Sequence, residues 1–431
     1  MFAFFIISCV SKLRYGIMID AGSSGTRAHI YKWNTENEIP DVSPAPNTSN
    51  AWFVKLKIPL AKSAKNMSLI NEIFGKIVSF GINHIPSEYI PKTRIFVYAT
   101  AGMRMLNDLE QEMVIENTYN YMVKKSPFKV KREYVRVISG TEEGVFGWVS
   151  VNHLLGNFVN KRKTVGALDM GGASMQIALE VTNEEKPSNY VSIGKKKVGM
   201  FSHSYLGFGA NEALKSITRS LYAISQDSDS FEHPCYNLGY TSNYHDKTFN
   251  GTGNFEKCTN LAKEILLKDS SFLSVNVPSL SSTNDFVAMA SFYYTNSFLN
   301  LPPNSSLLDL KKESTKLCMT NWSNLTQQYP GNEFVSTYCW YSIYQWNVLT
   351  KGFSFEDGKT KVTKLDEING ADLSWTIGAM LSHVAEIEID ETKTITFPIL
   401  LVYNLIIFFI ILPLFIIVEK RRKVSKHLSI I

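Results

Sequence analysis

Apolar residues follow two different periods along the first third of the chain. Short continuous apolar runs bounded by turn residues are typical of buried strands, whereas apolar residues three and four positions apart are typical of helices that bury one face. The two patterns alternate, which predicts an α/β fold with parallel strands, crossover helices and ligands at the carboxyl ends of the strands. The predicted strands are residues 15–20, 93–100 and 134–139, and the predicted helices are residues 67–80, about 107–124 and 142–158.

Two of the apolar runs end in an aspartate and then break into a glycine-rich loop. The first run lies in G-I-M-I-D-A-G-S-S-G-T (16–26), with Asp20 last in the strand, and the second in T-V-G-A-L-D-M-G-G-A-S-M-Q-I-A-L (164–179), with Asp169. Backbone amides in such loops are free to bind an anion. The likeness is a weak internal repeat that predicts two lobes whose equivalent hairpins face one cleft. A chance likeness between two glycine-rich turns is the alternative.

Carboxylates near these loops suit the hydrolysis of a phosphate. Asp20 and Asp169 could hold a hard divalent cation, directly or through its waters, because Mg²⁺ keeps several waters and needs only one or two carboxylates. Glu142 or Glu143, at the start of a predicted helix, could align an attacking water. A glutamate in a first helical turn also compensates the helix dipole, so a capping role is the alternative.

A long apolar segment near the C-terminus predicts a membrane anchor. Residues 397–418 carry no formal charge, and a helix of about 20 apolar residues spans a bilayer; a buried core helix is the alternative. The Lys/Arg cluster that follows favours a cytoplasmic tail, which puts the preceding domain outside the cytosol. Residues 1–10 are apolar but too short to span, so a second N-terminal span, or insertion directed by the C-terminal span alone, stays open.

The cysteines and the sequons are consistent with a domain outside the cytosol, and the net charge bears on its partners. The cysteine spacing predicts two disulfides between sequence neighbours, Cys235 with Cys258 and Cys318 with Cys339, in an oxidising compartment. A formal charge of +5 over 431 residues argues against a nucleic-acid partner. Six N-x-S/T sequons, which accept glycans in secreted domains, occur at Asn47, Asn66, Asn250, Asn304, Asn321 and Asn324.

Six short motifs occur in an order that resembles one known family. They are D-A-G-S-S-G-T-R, A-T-A-G-M-R, S-G-T-E-E-G-V-F-G-W, D-M-G-G-A-S-M-Q, S-Y-L-G-F-G and D-x-x-W-T-x-G. Their series is similar to the apyrase conserved regions of the ecto-nucleoside triphosphate diphosphohydrolases, from about Tyr15 to Leu381. The resemblance implies the two-lobed actin, chaperone-ATPase and sugar-kinase fold (ribonuclease H-like), with a C-terminal transmembrane helix. It also implies hydrolysis of terminal phosphates of nucleoside tri- and diphosphates with Ca²⁺ or Mg²⁺.

The resemblance also implies roles for individual residues. For the second glutamate of the pair, Glu143, it favours the role of general base over that of a helix cap. No phosphoenzyme is expected, because no side chain is placed as an obvious nucleophile. The implied roles are the general base, Glu143; a residue placing the water, Ser174; phosphate binding by Ser23, Ser24, Gly25, Thr100, Ala101, Gly171, Gly172 and Ala173; orientation of the cation's water by Asp20, Asp169, Gln176 and Trp375; and stacking on the base by Tyr344.

The chain departs from the family pattern at three places. Met175 replaces a threonine in the second loop, so a hydroxyl that could orient the hairpin or touch the substrate is missing. The segment L-K-I-P-L-A-K-S-A-K-N (56–66) stands where a G-P-G element is usual. The four cysteines of the predicted exterior domain are closer in number to the lumenal and soluble nucleoside diphosphatases. Plasma membrane against Golgi or ER lumen, base preference and the preference for tri- or diphosphates therefore stay open.

The expected organisation has two lobes and a membrane anchor. Two rival functions stay open, a catalytically weak nucleotide-binding ectodomain and an exopolyphosphatase-like hydrolase on the same fold, and so does assembly into a homo-oligomer. The expected segments are an apolar remnant (1–14), lobe I (15–137, completed by about 371–390), lobe II with inserted disulfide loops (138–370), the transmembrane helix (397–418) and a basic cytoplasmic tail (419–431).

Overall fold

The computed structural model divides the chain into two units, Met1–Leu381 and Ser382–Ile431. Within the part of the chain that it describes, none of the helices is both long and apolar enough to cross a membrane. The predicted span and tail lie almost entirely outside that part, and so does most of the N-terminal remnant. The described residues are 13–34, 39–45, 52–181, 187–193, 196–225, 228–269, 272, 277, 284–384, 413, 414 and 416–419.

Helices and strands alternate through the first unit as the apolar pattern predicts. The strands are β1 (Leu13–Ala21), β2 (Thr26–Asn34), β3 (Ser43–Pro44), β4 (Phe53–Leu56), β5 (Arg94–Ala99), β6 (Val135–Val137), β7 (Gly166–Met170), β8 (Ser174–Glu180), β9 (Asn189–Ile193), β10 (Lys196–Leu206), β11 (Ser230–His233), β12 (Thr241–Tyr244), β13 (Lys247–Gly251), β14 (Asp285–Ala290), β15 (Lys361–Lys364), β16 (Glu367–Ile368) and β17 (Ala371–Asp372). The helices are α1 (Ser68–His84), α2 (Ala101–Arg104), α3 (Asp108–Lys125), α4 (Gly140–Leu154), α5 (Ala210–Ile224), α6 (Phe255–Leu266), α7 (Ser291–Phe298), α8 (Leu307–Met319), α9 (Trp322–Gln328) and α10 (Tyr338–Asn347). Residues 375–381 are also helical.

The first sheet is built around the hairpin of β1 and β2. Its strand order is β3-β2-β1-β5-β6, with β4 added to β2. Strands β1 and β2 are antiparallel, whereas β5 runs parallel to β1 and β6 parallel to β5. Every residue of β5 is buried, as expected for a strand covered on both faces. The predicted parallel strands and crossover helices are thus confirmed.

The second sheet repeats this arrangement. Its order is β15-β14-β7-β8-β10-β9. The first two strands, β7 and β8, again form an antiparallel hairpin, and β14 and β15 run parallel to β7. In both sheets the first two strands form an antiparallel hairpin, and the last two strands follow in parallel on the side of the first strand. The internal repeat read from two loops corresponds to a repeat of whole sheets, although the exact boundaries of the two lobes stay a prediction.

Helix α4 joins the two sheets and carries the predicted catalytic glutamate. It begins two residues earlier than predicted because Ser139 caps it, and it ends earlier because Gly156 takes a positive φ of 71°. A side chain at Gly378 would collide with the backbone of α4, so the close approach of helical residues 375–381 requires glycine there. The N–H of Gly378 donates to Ser150 Oγ at 2.9 Å.

Two disulfides stabilise the loops inserted in the second half of the unit. Cys235 pairs with Cys258 and Cys318 pairs with Cys339, which confirms the predicted pairing. All four cysteines are fully buried in the core beneath the second sheet. Crosslinks of this kind limit the freedom of the unfolded loops and stabilise the fold.

We predict that His29 makes the fold sensitive to acid. Its imidazole is 1% exposed, neither ring nitrogen has a hydrogen-bond partner, and burial, helped by Arg27, lowers its pKa to about 3. The unfolded chain, with an ordinary histidine pKa of about 6.5, therefore binds a proton that the folded chain excludes. This difference lowers the stability as the pH falls from 6.5 towards 3, by about 2 kcal/mol at about pH 5.

Replacing His29 by Phe should remove this contribution, because Phe fits among the rings of Tyr31, Trp52 and Phe53 without titrating. When the pH is lowered from about 7.5 to about 5, the Tm should decrease less in His29→Phe than in the wild type. His245→Asn, at an exposed turn position, is the control and should keep the wild-type loss. An equal loss in His29→Phe and the wild type would contradict the assignment.

Candidate active site

The loops of the two hairpins face each other across one cleft. Each is closed by a glycine N–H, Gly22 donating to the carbonyl of Gly25 at 2.9 Å and Gly171 to that of Ser174 at 3.0 Å. A Cβ placed on Gly172 would lie 3.1 Å from Ser23 Oγ. The two loops are therefore close enough to bind the same small ligand, as the repeat predicts.

The second loop is held from behind by the N-terminus of α5. The N–H of Ala210 donates to the carbonyl of Gly171, and the N–H groups of Asn211 and Glu212 donate to the carbonyl of Gly172, each at 3.0 Å. In a trans peptide the C=O and the next N–H point in opposite directions. The two loop carbonyls thus turn away from the cleft, and the N–H groups of Gly172 and the next residue turn towards it.

The first loop is packed against the start of α2. The N–H of Thr100 donates to the carbonyl of Ala21 at 3.2 Å, and a Cβ on Gly102 would lie 2.8 Å from Ser23 Cα. The structure thus brings the A-T-A-G segment against the first loop. The predicted phosphate-binding residues, which line the two loops and this helix start, are Ser23, Ser24, Gly25, Thr100, Ala101, Gly171, Gly172 and Ala173.

Asp20 and Asp169 occupy matching positions at the ends of β1 and β7. Burial raises the pKa of Asp169 to about 7, and the charge of Asp20 adds to the rise. Burial also raises the pKa of Asp20, against the charge of Arg27, which donates to Asp20 Oδ2 at 3.2 Å. The charge of Asp20 acts on Asp169, as expected for carboxylates at the ends of two hairpins that face one cleft.

Glu143 lies in the same site and has one carboxylate oxygen available. The Nη2 of Arg104 donates to its Oε2 at 2.8 Å. Burial raises the pKa of Glu143 to about 8, Asp169 and Asp20 raise it further, and Arg104 opposes the rise. A carboxyl group that titrates near neutral pH suits general-base work. No described residue donates to Oε1, so this oxygen is free to accept a water.

A hydrogen-bond network fixes the remaining predicted site residues. Ser174 Oγ accepts from Arg104 Nη2 at 3.1 Å and from Gln176 Nε2 at 2.7 Å. A hydroxyl has two lone pairs and one proton, so these bonds leave Ser174 as a donor towards the cleft. Gln176 also donates to Ser204 Oγ at 2.8 Å. The network predicts a fixed orientation for both Glu143 and Ser174.

The two adjacent glutamates divide the roles that the sequence left open. Glu142 forms a capping box with Ser139 at the start of α4 and pairs with Arg136 at 2.8 Å. Successive helical residues point about 100° apart, so Glu143 points away from this cap and into the cleft. The capping interpretation is thus confirmed for Glu142 only.

The oxygen atoms of the site fit a hard divalent cation. Asp20 Oδ1 and Gln176 Oε1 are buried and have no hydrogen-bond partner, and Asp169 adds a carboxylate beside Asp20. Unpartnered buried oxygens are costly unless a cation or a water satisfies them, and Ca²⁺ and Mg²⁺ bind oxygen ligands. Across the described residues, no cluster of three or more His, Cys, Asp or Glu side chains is arranged to hold a metal.

The structure bears differently on the predicted roles of two aromatic residues, Trp375 and Tyr344. Trp375 is 4% exposed and packs on Tyr98 and Phe146 with ring centroids 6.4 and 6.3 Å away, so its role near the cation stays a prediction. The predicted role of Tyr344 is wrong. Its ring is fully buried, stacks on Trp340 at 4.6 Å and donates from its hydroxyl to the carbonyl of Phe208, which leaves no face for a base.

Sequence reasoning missed two arginines. Arg27 pairs with Asp20, and Arg104 pairs with Glu143. The signal was present, because D-A-G-S-S-G-T-R and A-T-A-G-M-R both end in arginine. An arginine that ends a motif of small residues has no obvious role in the loop itself, and a buried carboxylate needs a cation nearby.

Comparisons with known proteins find relatives over most of this chain. Residues 7–396 match the family described as GDA1/CD39 (nucleoside phosphatase). The chain is 28% identical to the nucleoside-diphosphatase mig-23 of Caenorhabditis elegans, over 86% of this chain and 77% of that protein. It is 31% identical to probable apyrase 3 of Arabidopsis thaliana, over 88% of this chain and 84% of that one.

Among solved structures, a nucleoside triphosphate hydrolase from Neospora caninum has the same fold. The TM-score is 0.65 at 16% identity, covering 88% of this chain and 93% of that chain. At this identity the likeness shows the fold alone. It agrees with an actin-like α/β architecture built from two related sheets.

We predict that Met175 supports the core and takes no part in the chemistry. Its side chain is fully buried in the core beneath the second sheet, because alternate residues of a strand point to opposite faces and Ser174 and Gln176 face the site. A threonine hydroxyl at this position would also point into the core. Met175→Thr should lose about 2 kcal/mol of stability through lost burial and an unpaired hydroxyl.

Thermal unfolding and phosphate release of Met175→Thr would check this assignment. We expect a lower Tm and no gain in turnover, whereas Met113→Thr, at a 40% exposed position of α3, should change neither much. A clear gain in turnover in Met175→Thr would mean that the missing hydroxyl belongs to the active site.

Proposed function

This chain belongs to the GDA1/CD39 family of nucleoside phosphatases, and we propose that it hydrolyses the terminal phosphate of nucleoside tri- and diphosphates with Glu143 as the general base. One observation carries the proposal. Arg104 holds one oxygen of Glu143 while the other stays available, at a site flanked by two facing phosphate-type loops. A water on that oxygen is oriented by a carboxylate that is itself fixed.

Ser174 and the loops supply the rest of the chemistry. The Ser174 hydroxyl donates towards the attacking water or a phosphate oxygen, because both of its lone pairs are occupied. The N–H groups of Gly172 and Ala173 bind non-bridging oxygens of the transferred group, and Ser23 faces them across the cleft. Phosphoryl transfer depends mainly on positioning and charge stabilisation, and this chain provides both without a covalent intermediate.

We further propose that Asp20, Asp169 and Gln176 hold Ca²⁺ or Mg²⁺ through water molecules. The support is the pair of unpartnered oxygens, Asp20 Oδ1 and Gln176 Oε1, beside a second carboxylate. When bound, such a cation neutralises phosphate charge in the ground and transition states. Arg27 keeps Asp20 in place by its bond to the other carboxylate oxygen.

The nucleoside base needs an aromatic face other than that of Tyr344. Tyr294 is 53% exposed and lies on α7, which starts directly after β14, the neighbour of β7 in the second sheet. Burial, Asp372 and Asp366 raise its pKa and the charge of Arg27 opposes the rise, and this influence of Arg27, the partner of Asp20, supports a position near the site. We propose Tyr294 as the aromatic residue that contacts the base.

A position outside the cytosol is part of the proposal. Two fully buried disulfides suit an oxidising compartment, and glycans attach only to exposed sequons. Asn47 lies outside the described residues. The other sequon asparagines are exposed, namely Asn66, Asn250, Asn304, Asn321 and Asn324.

The adjacent glutamates provide a matched test of the general base. Glu143→Gln should keep its fold and lose at least about 100-fold of the turnover, because a general base contributes on this scale. Glu142→Gln should keep nearly normal turnover and lose less than about 1 kcal/mol of stability, because its pair with Arg136 is partly exposed. Phosphate release and thermal unfolding measured on both variants check the assignment. Nearly normal turnover in Glu143→Gln would overturn it.

Substrate class and cation dependence can be measured in one panel. The chain should release phosphate from nucleoside di- and triphosphates when Ca²⁺ or Mg²⁺ is present, and excess EDTA should abolish release because the site then lacks its cation. Long-chain polyphosphate should be a poor substrate. Full activity in EDTA would contradict the proposed cation, and release from polyphosphate but not from nucleotides would contradict the substrate class.

A further inference from the structure

Asn211 lies at the rim of the cleft beside the second phosphate loop. It is the second residue of α5 and is exposed. Its Nδ2 would lie 2.9 Å from a Cβ placed on Gly172, and Ser23 Oγ would lie 3.1 Å from the same point. The side-chain amide and the hydroxyl of the first loop thus flank the same glycine, where the two loops meet.

Tyr341 sets the orientation of this amide. The hydroxyl of Tyr341 donates to Asn211 Oδ1, and Tyr341 is itself 8% exposed on α10. Which end of an asparagine carries the oxygen is decided by its hydrogen-bond partners. With Oδ1 bound to a hydroxyl donor, the NH₂ group points away from Tyr341, and no described residue accepts a hydrogen bond from it.

The main-chain donors at the start of α5 are already used. The N–H groups of Ala210, Asn211 and Glu212 donate to the carbonyls of the second loop. The N-terminus of this helix therefore supports the loop and has few donors left for a ligand. The Asn211 side chain is the group at this helix start that still has donors available.

We propose that Asn211, oriented by Tyr341, donates a hydrogen bond to the phosphate that precedes the transferred one. This inference rests on the proposed function. The transferred phosphate lies deeper, beside the buried Glu143 and Ser174, so the exposed amide meets the next phosphate towards the solvent. Asn211 thereby binds the leaving group, and Tyr341 is its positioning residue.

Three variants test the contact. Asn211→Asp keeps the shape and the acceptor for Tyr341 but replaces the donor by a charge that repels phosphate. Asn211→Ala removes the donor. Tyr341→Phe keeps the ring and releases the amide. We expect kcat/KM for a nucleoside diphosphate to fall about tenfold in Asn211→Ala, further in Asn211→Asp, and severalfold in Tyr341→Phe.

A double variant separates positioning from a merely structural effect. If Tyr341 acts only through Asn211, Tyr341→Phe should cause no further loss in the Asn211→Ala background, because effects transmitted through one group are not additive. Additive losses would overturn the positioning role. Asn117→Asp, which adds the same charge on an exposed part of α3, is the control and should leave kcat/KM unchanged.

Binding of inorganic tripolyphosphate identifies the group that is contacted. Its affinity, measured by calorimetry in the Glu143→Gln background, should fall in both Asn211 variants as the nucleotide affinity does. Loss for the nucleotide alone would overturn the phosphate contact, and so would unchanged affinities for both ligands. This measurement needs no turnover, so it tests the inference even if the wild type fails to release phosphate and the proposed function is wrong.

Discussion

Three carboxylates crowded into one cleft are the constraint on which this site depends. The charges of Asp20 and Asp169 raise the pKa of Glu143, the charge of Asp20 raises that of Asp169, and burial acts in the same direction. Like charges removed from water repel strongly. The chain counters them with Arg27 on Asp20 and Arg104 on Glu143. Arg27 and Arg104 pair with Asp20 and Glu143 and not with Asp169, whose raised pKa the charge of Arg27 only partly opposes. A divalent cation and its waters would balance the negative charge that remains.

The backbone meets a matching requirement for an anion. Each hairpin loop is closed on itself by a glycine N–H, and each is pressed from outside by the start of a helix. For the second loop, N–H groups at the start of α5 donate to both loop carbonyls, and a side chain at Gly209 would collide with the loop backbone. Peptide N–H groups that would otherwise be free to rotate are thus fixed towards the cleft. Fixed dipoles need no reorganisation when charge develops in the transition state.

The features of the fold and site that could be predicted are those that leave a pattern in a short stretch of the sequence. Strand and helix periods are local, and so are glycine loops and the capping pattern of Ser139 with Glu142. The face on which a residue lies also follows from the period, which is why Met175 points away from Ser174. Tyr344 shows the limit of such reasoning. An aromatic residue in an apolar helix suits a core and a ligand equally well, and only its packing on Trp340 decided for the core.

By itself, the sequence determined the α/β class, the repeated hairpins, the disulfide pairs and the motifs that mark a phosphate site, because each depends on neighbours along the chain. The tertiary structure alone decided which side chains contact each other at the cleft. Arg104 meets Glu143 across 39 positions of sequence, and Tyr341 meets Asn211 across 130. Contacts at such separations depend on how sheets and helices pack, and packing leaves no period in the sequence. For this reason the loops were recognised from the sequence, whereas Arg104 and Tyr341, which orient Glu143 and Asn211, were not.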